Sequence, residues 1–329
     1  MFFIYEIIQK LFYFFLCLVS DFSKNKRLKI FKNLRSFNDF KKEVDNSYKT
    51  FISLKNQHKE IEVYWVHVAS AGEMEQVIPV ARSLHDKLKV YFFLTFYSPS
   101  AIPFVKNFPG LIGAAGLPLD IQKNYFYLLS NLPIKKVFFV RYDLWPGLIK
   151  MSKKYSIELN LLAATSNSTH GGILGLLSKQ FKKNICKYFD NIFCVNQNDE
   201  KFFKKHLSHH TNIYLAGDAK WARALERVKE FYSKQQNVEV KCLIDAINFY
   251  KETSKKKCIV FGSPHQAEHD LAIDCLKIKN KYILIYVPHS VEEEYCKKIF
   301  QQFLKKTENV ILFSNFYEAY KQDFRFINK

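Results

Sequence analysis

The sequence lacks the short motifs that mark several common kinds of site. Its seven cysteines form no C-x-x-C pair, which argues against a disulfide framework and a cysteine zinc site and favours a reduced, cytoplasm-facing protein. Neither a G-x-G-x-x-G fingerprint nor a Walker A loop is present, so the chain carries no dinucleotide or P-loop signature. Internal repeats and low-complexity linkers are also absent. We expect neither a metal ion nor a cofactor.

Acidic residues are scarce relative to basic ones. The chain of 329 residues has 31 Asp and Glu against 50 Lys and Arg, a net charge of +19. An excess of this size indicates phosphates, nucleic acid or an anionic membrane as a partner. Because the cations are dispersed and no recognised nucleic-acid motif occurs, we expect no nucleic-acid partner. With 48% apolar residues the chain can bury a large core, which rules out wholesale disorder.

Residues 1–20 are nearly all apolar, close to the length that a helix needs to cross a bilayer. Three polar side chains in the first half make a clean span borderline, and a buried helix with a solvated basic face is the alternative. Cations beside an apolar helix place that flank in the cytoplasm, against anionic lipid. We therefore predict a membrane anchor over residues 1–22, spanning or lying in the interface, and a basic helical flank over 23–60 at the inner membrane. The flank's cations are Lys24, Lys26, Arg27, Lys29, Lys32, Arg35, Lys41 and Lys42.

From residue 62 onward, short β-rich runs alternate with helical stretches. Near-continuous apolar strands of this kind are typical of parallel sheets covered on both faces. The pattern pauses in a polar helical stretch near residues 223–257 and then restarts with three more strands. We therefore predict an α/β fold of two Rossmann-like domains, 61–225 and 226–329, joined near residues 222–255. Three strands are fewer than a doubly wound domain usually has, so the second domain is expected to be incomplete.

Polar residues follow the predicted strands of the first domain, at the edge where open α/β sheets bind ligands. After the first strand a small-residue turn, 70–72, leads to Glu73 at the start of a helix. A carboxylate there is stabilised by the helix N-terminus and is also placed to act as a general base, and both roles stay open. Asp143, which also suits a helix N-cap, and Trp145 follow a later strand. Lys220 follows another strand, where a phosphate contact and an ordinary solvated role both fit.

In the second domain, a turn at residues 262–268 joins a strand to a helix. Its backbone N–H groups, together with Ser263 and His265, could cradle a phosphate. His289 ends the next strand in the same way. Two histidines at neighbouring strand ends are compatible with a bound ligand, but they make no metal signature because no third residue has the spacing of a ligand.

Taken in order along the chain, these loops resemble the 3-deoxy-D-manno-octulosonic acid (Kdo) transferases of lipopolysaccharide synthesis. That family shows an apolar N-terminal anchor with a basic flank, followed by H-x-x-S-x-G-E, L-P-x-D, E-x-E-L-W-P-N-L-I, G-x-x-K-[FW], S-T-H-x-x-E and V-P-R-H elements. The order and spacing agree over nearly the whole chain. The matching residues are His67, Ser70, Gly72 and Glu73; Leu117, Pro118 and Asp120; Leu144, Trp145, Pro146, Leu148 and Ile149; Gly217, Lys220 and Trp221; and Ser263, His265 and Glu268. The V-P-R-H element is approached by Val287, Pro288 and His289.

The resemblance implies a glycosyltransferase of the GT-B type, with two Rossmann-like domains. Members of the family transfer Kdo from CMP-Kdo to a lipid A precursor (lipid IVA), with inversion at the anomeric carbon and without a metal ion. The family's glutamate, here Glu73, would be the general base. The N-terminal domain would take the lipid acceptor and the C-terminal domain the donor. The implied substrate-binding residues are His67, Ser70, Gly72, Asp143, Trp145, Lys220, Ser263, His265, Glu268 and His289.

Departures from the family pattern favour a second interpretation. Arg141 and Asp143 stand where the family has glutamates, the arginine of V-P-R-H is absent, and no match to the family's late nucleotide-binding segment precedes Lys329. Lys or His cannot copy the bidentate anion contacts of arginine well. The alternative is therefore a catalytically inactive, C-terminally truncated relative that associates with the membrane and binds anionic lipid.

Overall fold

A computed structural model describes residues 2–23, 26–58, 60–141, 143–166, 180–207, 210–233, 238–254, 257–276 and 282–316. The chain divides into two compact units, Met1–Val228 and Lys229–Lys329. Each unit has its own parallel sheet, so the α/β class that the alternating pattern predicts is confirmed.

The first unit is built on a sheet that has seven strands within the described residues. They are β1 (Glu62–Val68), β2 (Val90–Phe96), β3 (Leu111–Gly116), β4 (Ile134–Val140), β5 (Glu158–Ala164), β6 (Asn191–Cys194) and β7 (Asn212–Leu215). Their order across the sheet is β3-β2-β1-β4-β5-β6-β7, and every neighbouring pair runs parallel. This is a doubly wound sheet whose strand order reverses between β1 and β4, the point at which such sheets bind ligands.

Helices cover both faces of this sheet. The helices described up to residue 233 are α1 (Phe2–Phe22), α2 (Lys26–Asn33), α3 (Phe37–Gln57), α4 (Ala71–Leu88), α5 (Ile102–Val105), α6 (Gln122–Asn131), α7 (Pro146–Lys154), α8 (Gln197–His206) and α9 (Ala219–Ser233). Along β1, Val63 and Trp65 belong to the core beneath α3, α6 and α7, whereas Tyr64 and Val66 belong to the core beneath α4. Burial on both sides explains why the strands read as continuous apolar runs.

Strand β3 has a composition that disfavours strands, because glycine and alanine make up four of its six residues. Its glycines are required by the close approach of α3 and of the turn that follows α2. A Cβ on Gly116 would lie 2.8 Å from Leu34 Cα, and one on Gly113 would overlap the Ser47 side chain of α3. The edge of the sheet is therefore covered at a distance that only glycine permits.

The second unit has two parallel strands in its described residues, β8 (Lys257–Gly262) and β9 (Tyr282–Val287). Helices of this unit include α10 (Val238–Ser254), α11 (Gln266–Cys275) and α12 (Glu293–Leu304). Ala272, Ile299 and Phe303 form its buried core.

The predicted third strand of the second unit, over residues 309–314, is wrong. The backbone there makes local bonds, from Val310 N–H to the carbonyl of Glu308 at 2.9 Å and from Phe316 N–H to that of Leu312 at 2.8 Å. A helical turn covers residues 313–316. Val310 packs against the small core instead, and its side chain is partly buried without sheet pairing.

Helix α1 contacts the first unit near its start and exposes apolar side chains along most of its length. The Tyr5 side chain lies beside the carboxylate of Asp120, and the side-chain nitrogen of Gln122 lies 3.4 Å from the carboxylate of Glu6. Across the part of the chain that the structure describes, no helix has both the length and the hydropathy to cross a membrane. The exposed apolar residues of α1 are Ile7, Ile8, Leu11, Phe12, Phe14, Phe15, Leu18, Val19 and Phe22.

Candidate active site

The carboxyl ends of β1 and β4 bring together three of the predicted site residues. His67, on β1, is fully buried. Its Nε2 lies 2.7 Å from Oδ2 of Asp143, and the indole nitrogen of Trp145 lies 3.0 Å from the same oxygen. On the other side of the ring, Nδ1 lies 2.9 Å from the hydroxyl of Thr95, which accepts the indole N–H of Trp65 at 2.9 Å. A chain of buried hydrogen bonds therefore runs from the core of the sheet to Asp143.

The spacing of these atoms determines where the imidazole proton lies. A carboxylate oxygen and an unprotonated Nε2 are both acceptors, so a separation of 2.7 Å requires a proton between them. His67 therefore donates from Nε2 to Asp143. A protonated Nε2 has no free lone pair, so the indole of Trp145, although 2.9 Å from that nitrogen, donates to the carboxylate. Asp143 thus receives two hydrogen bonds on one oxygen.

Asp143 is held as an anion despite being partly buried. Burial would raise its pKa, but the hydrogen bonds from His67 and Trp145 and the positive charge of Arg35 hold the pKa below its usual range. The site therefore contains a fixed negative charge at neutral pH.

Glu73 lies in the first turn of α4, directly after the carboxyl end of β1. Ser70 is the N-cap residue of this helix, and its carbonyl accepts the N–H of Met74 at 3.0 Å. The carboxylate of Glu73 folds back to accept the N–H of Ala69 at 2.5 Å. The turn is open at Gly72, where the nearest atom to an added Cβ would be the Ser70 hydroxyl at 3.8 Å.

The surroundings of Glu73 favour the protonated form of its carboxyl group. Its pKa is raised to about 8, chiefly because the side chain is buried. The hydrogen bond from Ala69 opposes this rise, the negative charge of Asp143 adds to it, and the positive charge of Arg141 opposes it. A carboxyl group that titrates near neutral pH is suited to accept a proton from a hydroxyl group.

Arg141 joins the end of β4 to the segment after β7. Its φ of 58° is uncommon for a residue other than glycine and turns the chain sharply after the strand. Its Nε donates to Gln76 at 2.8 Å, and its Nη2 donates to Asp218 at 2.9 Å. Asp218 also accepts the backbone N–H of Lys220 at 3.0 Å, while the Lys220 side chain is exposed. The next residue after the arginine, Tyr142, lies outside the described residues.

The N-terminus of α7 is capped by Asp120. Its carboxylate is fully buried and accepts the N–H groups of Gly147 at 2.8 Å and Leu148 at 2.9 Å. The prediction that Asp143 serves as an N-cap is wrong, because its carboxylate is bound to the buried imidazole instead. The cap comes from the loop after β3, so this loop and α7 are fastened together.

Arg35 is a buried component of this region. It is 4% exposed, and it donates to the carbonyls of Leu117 at 2.9 Å and Tyr97 at 2.5 Å. Its guanidinium carbon lies 3.7 Å from the centre of the Tyr97 ring, and that ring packs on Trp145 with centroids 4.9 Å apart. The prediction that Arg35 faces lipid with the basic flank is therefore wrong, because the side chain is buried and its two Nη groups donate to the strand ends. Lys24 of the same flank lies outside the described residues.

The sequence reasoning missed Thr95, Tyr97 and Arg35. Thr95 could have been found from the sequence. It is the only aliphatic hydroxyl in the apolar run V-Y-F-F-L-T-F, and it lies next to the end of the strand. Tyr97 and Arg35 carry no local signal, because their contacts join segments far apart in the chain.

In the second unit, three of the predicted residues meet at the carboxyl ends of β8 and β9. The hydroxyl of Ser263 lies 2.7 Å from Nδ1 of His289, and the rings of His265 and His289 have centroids 5.1 Å apart. Glu268 instead accepts the backbone N–H of His265 at 3.1 Å, at the start of α11. The hydroxyl and both imidazoles are exposed. In the described part of the chain, no group of three or more His, Cys, Asp and Glu side chains is arranged to hold a metal ion.

The family comparison concerns the unit that contains Glu73. Residues 42–223 match the family model described as 3-Deoxy-D-manno-octulosonic-acid transferase (kdotransferase). The chain belongs to this family. Because the match covers more than half of the chain, the Kdo transferase resemblance of the sequence motifs is confirmed. The network of His67, Asp143 and Trp145 lies inside the matched range.

Two curated proteins are similar to this Kdo transferase family member over most of its length. The 3-deoxy-D-manno-octulosonic acid transferase of Aquifex aeolicus is 26% identical over 266 residues, which cover 79% of this chain and 62% of that protein. The bifunctional glycosyltransferase/methyltransferase of Fusobacterium nucleatum is 20% identical over 81% of this chain and 40% of that protein. The chain spans less than two thirds of the length of either relative.

Solved structures of similar fold include UDP-N-acetylglucosamine 2-epimerases. The Neisseria meningitidis protein, bound to UDP-GlcNAc, is 9% identical with a TM-score of 0.53, over 75% of this chain and 70% of that chain. A second such epimerase is 11% identical with a TM-score of 0.51, over 76% of this chain and 67% of that chain. At such low identity the similarity is one of fold alone.

Proposed function

We propose that this chain is a GT-B glycosyltransferase that transfers Kdo from CMP-Kdo to a lipid A precursor, with Glu73 as general base. The observation that carries the proposal is the buried carboxyl group of Glu73, with a pKa of about 8, at the strand ends of the unit that matches the family. The net charge of +19 supports an anionic, phosphorylated acceptor.

In the proposed reaction, the carboxylate of Glu73 takes the proton of an acceptor sugar hydroxyl. The hydroxyl oxygen forms a bond to the anomeric carbon of Kdo while the bond from that carbon to the phosphate oxygen of CMP breaks. CMP leaves with the bonding electron pair, and the configuration of the anomeric carbon inverts. The fixed charge of Asp143 keeps Glu73 basic enough to hold the proton that it takes.

For donor binding, we propose the exposed cluster of the second unit. The hydroxyl of Ser263, the imidazoles of His265 and His289 and the N–H groups at the start of α11 are hydrogen-bond donors suited to a phosphate. The role of Glu268 in this arrangement is to order the turn through the backbone of His265.

For acceptor binding, we propose the edge of the first unit. The open turn at Ser70 and Gly72 leaves space beside Glu73 for a sugar. Trp145 supplies an aromatic surface at the same edge, and the exposed ammonium of Lys220 is suited to a phosphate of the acceptor. His67 contributes through its hold on Asp143.

The proposed location is the cytoplasmic face of the inner membrane. Helix α1 exposes large apolar side chains, including Phe15 and Phe22, and cations follow it in the sequence. A helix of this kind can lie in the membrane interface with its apolar side among the acyl chains and nearby cations against anionic headgroups.

The function is tested by measuring Kdo transfer from CMP-Kdo to lipid IVA with the full chain in detergent. Glu73→Gln keeps the size and hydrogen bonding of the side chain but cannot take a proton, so we expect transfer to fall by about 10²–10⁴-fold. Asp86→Asn is the matched control, because it removes an exposed carboxylate from the same helix, and we expect it to retain full activity. Full activity in Glu73→Gln, or an equal loss in both variants, would refute the assignment.

A second candidate, an inactive relative that binds anionic lipid, is favoured by one observation. Arg141 takes the place of a family glutamate and is engaged internally with Gln76 and Asp218. Under this alternative the unmutated chain would bind vesicles of anionic lipid yet yield no product with CMP-Kdo. The transfer assay and a vesicle sedimentation assay on the same preparation separate the two functions.

A further inference from the structure

We propose that Arg35 is a positioning residue of the active site, which fixes the carboxyl ends of β2 and β3 and through them the Tyr97–Trp145 contact beside Asp143. The contacts of Arg35 are those of the structure, and only the expected change in the rate of Kdo transfer rests on the proposed function.

One guanidinium group joins two strand ends. Tyr97 directly follows β2 and Leu117 directly follows β3, and Arg35 donates to both carbonyls. The planar fork of arginine can bind two carbonyls at once, whereas an ammonium group acts as a single point charge. The two loops that leave these strands are therefore held in one arrangement by a residue of the N-terminal segment.

The first loop carries this constraint to Asp143 through aromatic rings. The Tyr97 ring is held by the guanidinium at 3.7 Å and by an edge contact with Phe31 of α2, with centroids 5.2 Å apart. The same ring packs on that of Trp145, with centroids 4.9 Å apart. Because the indole N–H of Trp145 donates to Asp143, a shift of Tyr97 would change the geometry of that hydrogen bond.

The second loop carries the constraint to the same place by another route. Leu117 starts the segment that ends in Asp120, and Asp120 caps α7 through Gly147 and Leu148. Trp145 directly precedes α7, so its backbone position depends on this cap. Arg35 therefore acts on the indole from two sides, through its ring contact and through the helix that follows it.

The test uses the full chain in detergent, with its tryptophans labelled with ¹⁵N. The three indole N–H signals, from Trp65, Trp145 and Trp221, are assigned by Trp→Phe variants. The variants compared are Arg35→Lys, which keeps the charge but loses the fork, Arg35→Met, which loses both, and Lys29→Met. Lys29 is the control because it is an exposed cation of the adjoining helix.

We expect the Trp145 signal to move in both Arg35 variants while those of Trp65 and Trp221 stay in place, and all three to stay in Lys29→Met. In the transfer assay, we expect kcat to fall about 10- to 100-fold in Arg35→Lys with little change in the KM for CMP-Kdo, because small displacements of catalytic groups have effects of this size. If Arg35→Met fails to fold, the Trp145 signal of Arg35→Lys tests the proposal. An unmoved Trp145 signal in a folded Arg35 variant would overturn the proposal, whether or not the unmutated chain shows transfer.

Discussion

Raising the pH from 7 to 9 is expected to increase kcat/KM for Kdo transfer about tenfold. Glu73 must be deprotonated to accept the hydroxyl proton, and its pKa is raised from the ordinary 4.5 to about 8. With that pKa, only about one tenth of the free enzyme carries the carboxylate at pH 7, and about nine tenths carry it at pH 9. The rise corresponds to roughly 5 kcal/mol in favour of the neutral form.

A rise in rate between pH 7 and 9 distinguishes this carboxyl group from an ordinary one. A glutamate that titrates at 4.5 would be ionised throughout this range, and the rate would not change between pH 7 and 9. Initial rates would be measured at subsaturating CMP-Kdo, with spontaneous donor breakdown subtracted at each pH. A flat profile between pH 6 and 9 would refute the reasoning.

A variant tests the physical origin of the shift. The negative charge of Asp143 contributes to the raised pKa of Glu73, so Asp143→Asn is expected to move the acidic limb of the profile to lower pH, even where the maximal rate falls. Asp86→Asn, on the exposed side of α4, is expected to leave the limb in place. A limb that does not move in Asp143→Asn would mean that the charge of Asp143 does not reach Glu73.

Two further predictions concern packing and the membrane. Gly116→Ala is expected to lower the free energy of unfolding by about 1–3 kcal/mol in urea denaturation, because the added Cβ would meet Leu34, whereas Gly72→Ala has space for its Cβ and is expected to be nearly neutral. Phe15→Asp is expected to weaken binding to anionic vesicles at least about tenfold in sedimentation, because it removes an exposed apolar side chain of α1. Phe126→Asp, on the exposed side of α6, is the matched control, and equal losses in both would contradict an interfacial α1.

The sequence predicts the parts of this fold whose residues are buried on both sides. Strands β1, β2 and β4 read as largely apolar runs because helices cover both faces of the sheet. Strand β3 does not have the composition of a strand, because its glycines leave room for Leu34 and Ser47 to approach the sheet. The run at 309–314 has the composition of a strand, but Val310 is only partly buried against the small core, and Ile311 and Phe313 are exposed. An apolar composition therefore does not by itself predict a strand, because pairing and burial depend on contacts between segments that are distant in the sequence.

For the site, the sequence predicts which residues lie at the strand ends but not the contacts that they make. Strand-end reasoning selects His67, Glu73 and Asp143, because the carboxyl ends of parallel strands meet at one edge. It does not show that Asp143 turns to the imidazole rather than to the helix that follows it. Nor does it distinguish Arg35 from the cations around it, because the two carbonyls that Arg35 binds come from loops 62 and 82 residues away in the chain.

The attachment of α1 and Arg35 to the strand ends limits how the chain can be shortened for production. Deleting an apolar N-terminal segment is a common route to a protein that needs no detergent. Here, removal of residues 1–36 would also take away the Tyr5 side chain beside Asp120 and the guanidinium that joins the segments after β2 and β3. Measurements on the shortened protein would then describe a site whose strand-end loops are no longer held by Arg35. Replacing exposed side chains of α1 such as Ile8 and Phe14 with polar ones keeps those attachments and is the better way to a soluble form.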